Sequence, residues 1–172
     1  MEVLYNLTYD QLREQARNGD LIFQHGSRRK LLQLAIMAVT GSRYCHVGMT
    51  FWMILGRERR LFVIEAQNDG RRRIVTGSFY KADTFDLVRA PVRWREIRER
   101  ALERVGEEKY SYLTALYVGL RELFMRKFNI RLPKIDTDGE ICSEFMASLL
   151  GLEDANLSPQ RLFSVLTAPA DK

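Results

Sequence analysis

From Val47 to Met53 apolar side chains recur at every second position, with Val47, Met49, Phe51 and Met53 alternating with His46, Gly48, Thr50 and Trp52. A helix cannot use that period, whereas a strand buries one face with it and leaves the other mixed. Short segments of the same kind precede and follow it: "DLIFQ" at Asp20–Gln24, "LFVIEA" at Leu61–Ala66, "RRIVT" at Arg72–Thr76 and "FDLVRA" ahead of Pro91. Turn signals in "LGRERR" and at Asp69-Gly70 join them, so an antiparallel meander, closing toward a barrel-like sheet, is expected.

Around this sheet the spacing becomes helical. Thr8 and Gln11 form a capping-box signature for a short helix ending near Gly19, and Ser27 is placed to cap an apolar segment, Leu31–Val39, that Gly41 ends. Trp94, Ile97, Ala101 and Val105 make one stripe, and Leu113, Leu116, Leu120, Leu123 and Phe124 another; both are expected to face the core. "ICSEFMASLLG" is a short helix closed by Gly151, and Ser158-Pro159 opens the last one. The expected class is α+β, in one domain spanning residues 1–172, since 172 residues suffice to bury a core without staples.

Several function classes lose support. Two cysteines, Cys45 and Cys142, are too few for a disulfide framework, and with two histidines there is no CxxC, HxxxH or HExxH spacing; no metal or cofactor is expected. "MEVLYNLTYD" lacks the basic end and apolar run of a secretory signal, so a reducing cytoplasm is the default expectation. The longest apolar stretch, Leu31–Val39, has nine residues and includes Gln33, against the roughly 20 that span a bilayer. The net charge of +5 comes largely from arginine runs at 57–60, 71–73 and 93–104. These read first as a solvated face, and secondarily as a surface for an anionic partner.

The chemistry-bearing stretch is "YCHVGM", where Cys45 and His46 adjoin. On a strand, neighbours point to opposite faces, so Cys45 is expected beside Val47 and Met49, in the core, and away from His46. Cys142 differs: it opens a helix, where unpaired N–H groups and the helix dipole favour an anion and can hold a developing oxyanion. His46, 96 positions earlier in the chain, is then its candidate base. Glu65, the only carboxylate in its apolar strand, is the candidate that orients the imidazole; two hairpin registers bring it to His46's face and others do not. His25, just past the first strand, is a competing base expected on a surface turn.

"GDLIFQ", "YCHVGM", "VIEA" and "ICSEF" occur in the order seen in YiiX/YaeF-like proteins, and the chain resembles that family of circularly permuted papain-like amidases of the NlpC-type superfamily. The resemblance implies Cys142 as nucleophile, His46 as base, Glu65 as the third polar group and Gln24 as a pocket or oxyanion contributor. The family usually has serine where this chain has Cys45. The implied activity is hydrolysis of an amide or related acyl bond in a small-molecule, peptide or lipid substrate. Substrate contacts are expected from the "QHGSRRK" turn, the "NDGRRR" loop and the helix near Tyr110 and Tyr112. Two alternatives stand beside it: a lipid acyltransferase or phospholipase of related permuted fold, and an inactive module that binds a polyanion.

Overall fold

The structure is a computed structural model that describes residues 1–26, 37–38, 41–67, 71–107, 112–130, 132–133, 141–152 and 157–168. The alternating segments form a six-stranded antiparallel sheet in the order β1-β6-β2-β3-β4-β5. Its strands are β1 (Val3–Leu7), β2 (Leu21–His25), β3 (Tyr44–Leu55), β4 (Glu58–Ala66), β5 (Arg72–Thr76) and β6 (Phe85–Val88). The expected meander holds for β2 to β5, but β6 leaves the β5 edge and returns between β1 and β2. The sheet is open, with β1 and β5 as its edges, so the barrel-like expectation is corrected.

Five α-helices lie among the described residues: α1 (Tyr9–Gln15), α2 (Trp94–Glu103), α3 (Tyr112–Phe128), α4 (Cys142–Leu149) and α5 (Pro159–Thr167). The Thr8 capping box is present in full: Thr8 N–H donates to Gln11 Oε1 at 2.9 Å and Gln11 N–H to Thr8 Oγ1 at 3.4 Å. Ser158 caps α5 by accepting from Arg161 N–H, with Pro159 in the first turn. The expected helix at Leu31–Val39 and the Asp69-Gly70 turn lie largely or wholly outside the described residues.

Strand alternation sorts the core onto two sides. Leu21, Phe23, Val47, Met49 and Ile64 pack with Ile97 and Ala101 of α2, Phe145 and Met146 of α4, and Leu162 and Phe163 of α5. Ile22, Leu61, Val63, Phe85 and Leu87 pack with Leu12 of α1, Ala16 and Tyr80. The α2 stripe therefore faces the core as its spacing requires. Of the α3 stripe, Leu120 is exposed and Leu123 and Phe124 are half-buried, while the side chains of Leu113 and Leu116 lie outside those described; Val118, outside the stripe, is buried. Two residues turn a helix by about 200°, so Leu120 cannot share the face of Val118.

One break in alternation matters for function. Gln24 pairs with His46, yet His25 pairs with Tyr44, so β3 carries an extra residue at Cys45. Such a bulge re-aims the residues around it. Tyr44 consequently joins Val47 and Met49. Cys45 is buried, as expected of a core residue, and its thiol donates toward the backbone oxygen and Oε1 of Gln24, at 3.7 and 3.8 Å.

The arginines also divide. Arg57, Arg59, Arg60, Arg95, Arg98 and Arg100 are exposed, as a solvated face requires. Arg72 is buried and ion-paired with Glu107. The guanidinium groups of Arg72 and Arg104 lie 5.1 and 5.0 Å from the Phe145 ring centroid, a cation–π arrangement that clamps α4. For these two the solvated-face reading is replaced by a structural one.

Candidate active site

The end of β2, the start of β3, the end of β4 and the start of β5 meet at one end of the sheet, and this end collects Gln24, His46, Glu65 and Arg73. Gln24 lies directly opposite His46. The pairing Met49↔Ile64 sets Glu65 level with Gly48, one diagonal step from His46 on the same face. That is one of the registers that make the pair feasible. His46 Nε2 and Glu65 Oε2 are 2.9 Å apart. Gly48 is required here for space, because a Cβ would stand 2.6 Å from Val63 Cγ1 and 3.2 Å from the Ile64 carbonyl.

Glu65 is completely buried, and a carboxylate without water needs several donors. It has four. Oε2 accepts from His46 and the Tyr80 hydroxyl, while Oε1 accepts from Gln67 Nε2 and from Arg73 Nε, the latter at 3.0 Å. Burial raises the carboxyl pKa, but the bonds and charge of His46, followed by Gln67 and Arg73, outweigh it and leave the pKa below the usual value. Tyr80 and Gln67 did not figure in the sequence reading of the site, and Arg73 entered it only as part of the "NDGRRR" loop expected to contact substrate. Arg73 had a signal, an opposite charge directly across from Glu65 once the β4–β5 register is known. Gln67 follows Glu65 by two on the same face. Tyr80 had none, because a 3-10 turn at Gly77–Tyr80 brings it there.

Cys142 is the first residue of α4 and lies with the helix-side core, whereas Glu65 shares the alternation of Val63 on the other side. The imidazole of His46 is where they meet. Burial works against charging the ring, but hydrogen bonding and charge attraction from Cys142 and then from Glu65 prevail, pushing its pKa up to about 10. Nε2 is taken by Glu65, so Nδ1 is the ring nitrogen left to exchange a proton with the sulfur. Cys142 is buried, and the side chain of His46 is 16% exposed.

The helix start suits charge development. Ile141 at the N-cap has no accepting side chain, and Glu144 Oε2 accepts from its N–H at 3.0 Å. The first-turn N–H groups, that of Cys142 among them, have no acceptor within the helix and point toward the space beyond its end. A thiol, an oriented imidazole, a buried carboxylate and a helix N-terminus together can carry nucleophilic acyl chemistry.

The sequence matches no protein-family model and no curated protein. The site therefore rests on its own geometry.

His25 is not on a surface turn. It ends β2 with Nε2 2.9 Å from Asp86 Oδ1, and that buried carboxylate also accepts from Asn6 N–H, Arg43 and the Tyr44 hydroxyl, the last at 2.5 Å. This second polar cluster ties β1, β2, β3 and β6 together, and His25 is committed to it. Tyr110 lies outside the described residues, as do most of "QHGSRRK" and Asn68, Asp69 and Gly70 of "NDGRRR". Among the described residues no group of three or more His, Cys, Asp or Glu side chains is arranged to hold a metal.

Proposed function

We propose that this chain is a cysteine hydrolase of permuted papain-like architecture that cleaves an amide or related acyl bond. The observation that carries the reading is His46, bonded to buried Glu65 through one nitrogen and coupled to the Cys142 sulfur on a helix N-terminus.

In this mechanism His46 Nδ1 takes the Cys142 thiol proton and Sγ attacks the substrate carbonyl carbon. The tetrahedral oxyanion is held by N–H groups at the start of α4, and Gln24, directly opposite His46, serves as a pocket residue. The carbon–nitrogen bond breaks as the imidazolium gives its proton to the leaving amine, leaving a thioester on Cys142. Water then attacks the thioester, passing a proton to His46, which returns it to the sulfur as the carboxylic acid departs. Glu65 keeps Nε2 protonated throughout, so Nδ1 remains the working nitrogen. Tyr80, Gln67 and Arg73 are positioning residues that hold Glu65.

The test is reaction with an activated ester, p-nitrophenyl acetate. The expected result is a burst of p-nitrophenol and an acetyl group on the peptide containing Cys142, both absent in Cys142→Ala. Acetylation confined to Cys45 or lysine, or an undiminished burst in the variant, would contradict the assignment.

A further inference from the structure

The β3–β4 hairpin continues beyond the rest of the sheet. β2 pairs with β3 only as far as Met49, and β5 pairs with β4 only from Phe62. Trp52 is the last anchored residue, its backbone N–H donating to Asn18 Oδ1 and its indole to the Ala16 carbonyl. Residues 53–60 then form a two-stranded ribbon turned at Gly56 (φ +64°), with every residue exposed.

What this ribbon exposes is unusual for a tip. Met53 is 39%, Ile54 73% and Leu55 49% exposed. Ile54 lies opposite Arg59, and Met53 opposite Arg60, so aliphatic side chains project from both faces of the ribbon. A lone two-stranded ribbon gains little by exposing such groups to water, and contiguous exposed apolar residues commonly mark a contact surface. Arg57, Arg59 and Arg60 surround them against the single carboxylate of Glu58. Arg59 stands 4.5 Å over the Trp52 ring at the base, and Arg60 bonds Glu58 at 2.6 Å. From Trp52 to Leu55 the ribbon rises about 10 Å, comparable to the depth at which interfacial segments sit in a bilayer.

We propose that this tip docks on an anionic lipid bilayer, with Met53, Ile54 and Leu55 entering the headgroup region and the arginines meeting lipid phosphates. The aliphatic character of the tip favours lipid over nucleic acid, which would call for aromatic stacking platforms or groove-reading side chains. The geometry also fixes orientation. His46 and Ile54 are eight positions apart on β3, about 26 Å along the strand, so a docked tip holds the Cys142 end of the sheet away from the surface. The site then faces substrate in the aqueous phase or on another body, and the docked bilayer's own acyl chains are out of its reach.

The experiment is co-sedimentation of the full chain with vesicles of one part phosphatidylglycerol to three parts phosphatidylcholine, beside pure phosphatidylcholine vesicles. Binding is expected to the anionic vesicles and to weaken with salt. The Ile54→Ser/Leu55→Ser double variant is expected to lose about 100-fold in partitioning, and each arginine replaced by glutamine about fivefold. Far-UV circular dichroism and Cys142 alkylation should stay unchanged in the tip variants, and Cys142→Ala should still bind. Absence of vesicle binding overturns the proposal, as does equal binding by wild type and the double variant. Salt-sensitive RNA binding without vesicle binding assigns the arginines to nucleic acid instead. A dimer dispersed by Ile54→Ser, again without vesicle binding, shows the tip covered by a second copy.

Discussion

Replacing Glu65 by glutamine removes one charge and converts one acceptor oxygen into a donor, while leaving the volume almost unchanged. The two oxygens are not equivalent. Arg73 and Gln67 both donate to Oε1, and His46 and Tyr80 both donate to Oε2. Arg73 carries a fixed charge, so the one oxygen left on the substituted side chain is expected to stay with it and the new amide N–H to face His46. The ring must then accept at Nε2 and carry its proton on Nδ1, which is the wrong tautomer to take a proton from Cys142. Breaking a buried ion pair by removing one partner costs about 3–5 kcal/mol. For a chain of this size that lowers Tm by about 6–20 °C. The tautomer change should slow acyl transfer by about 10²–10⁴-fold, the range seen when an orienting carboxylate is neutralised. Thermal unfolding by circular dichroism and p-nitrophenyl acetate turnover measure the two effects separately. A Glu65→Gln protein that melts within about 2 °C of wild type, where at least about 6 °C is expected, would refute the view that Glu65 is the hub of the site.

The same pair gives a pH profile. The folded pKa of His46 lies above its unfolded value of 6.5, so its stabilisation is complete below that value and is lost as pH rises through about 10. That of Glu65 lies below its unfolded value of 4.5, so its contribution is present above 4.5 and lost as pH falls through the folded value. The stability difference between wild type and Glu65→Gln, measured by urea unfolding, should therefore be largest between those limits and shrink on both sides; a difference constant with pH would contradict the pairing. Gly48→Ala should cost about 1–3 kcal/mol in the same urea assay, because its Cβ meets Val63 Cγ1 at 2.6 Å. Asp86→Asn should cost about 3–5 kcal/mol by leaving Arg43 and His25 short of a buried carboxylate, yet retain the Cys142 burst if the second cluster is structural.

Much of the sheet was legible because alternation is local: β2 to β5 could be read from Leu21, Val47, Leu61 and Ile74 and their neighbours alone. The place of β6 was not, since nothing within "FDLVRA" says that it returns beside β2 instead of extending the β5 edge. β1 was missed because "VLYNL" has a mixed pattern and ends near Asn6, which adopts a positive φ of 55°. For the site, Cys142 at a helix start and Glu65 in an apolar strand were readable as exceptions to their surroundings. The burial of Cys45 was readable too, but the bulge that inserts one residue beside it was not, since no sequence signal in "YCHVGM" marks it. The support around Glu65 was hidden for a different reason. Arg73 looked like part of a solvated basic run, and only the strand register turns it inward toward a carboxylate.

The claim that Cys142 and His46 act as a pair is tested most directly by the alkylation rate of Cys142 with iodoacetamide across pH, in a Cys45→Ala background beside N-acetylcysteine. The expected result is a Cys142 rate well above that of N-acetylcysteine below pH 7, falling to or below it in His46→Ala. A wild-type rate that tracks N-acetylcysteine at every pH, and is unchanged by His46→Ala, would contradict the pairing.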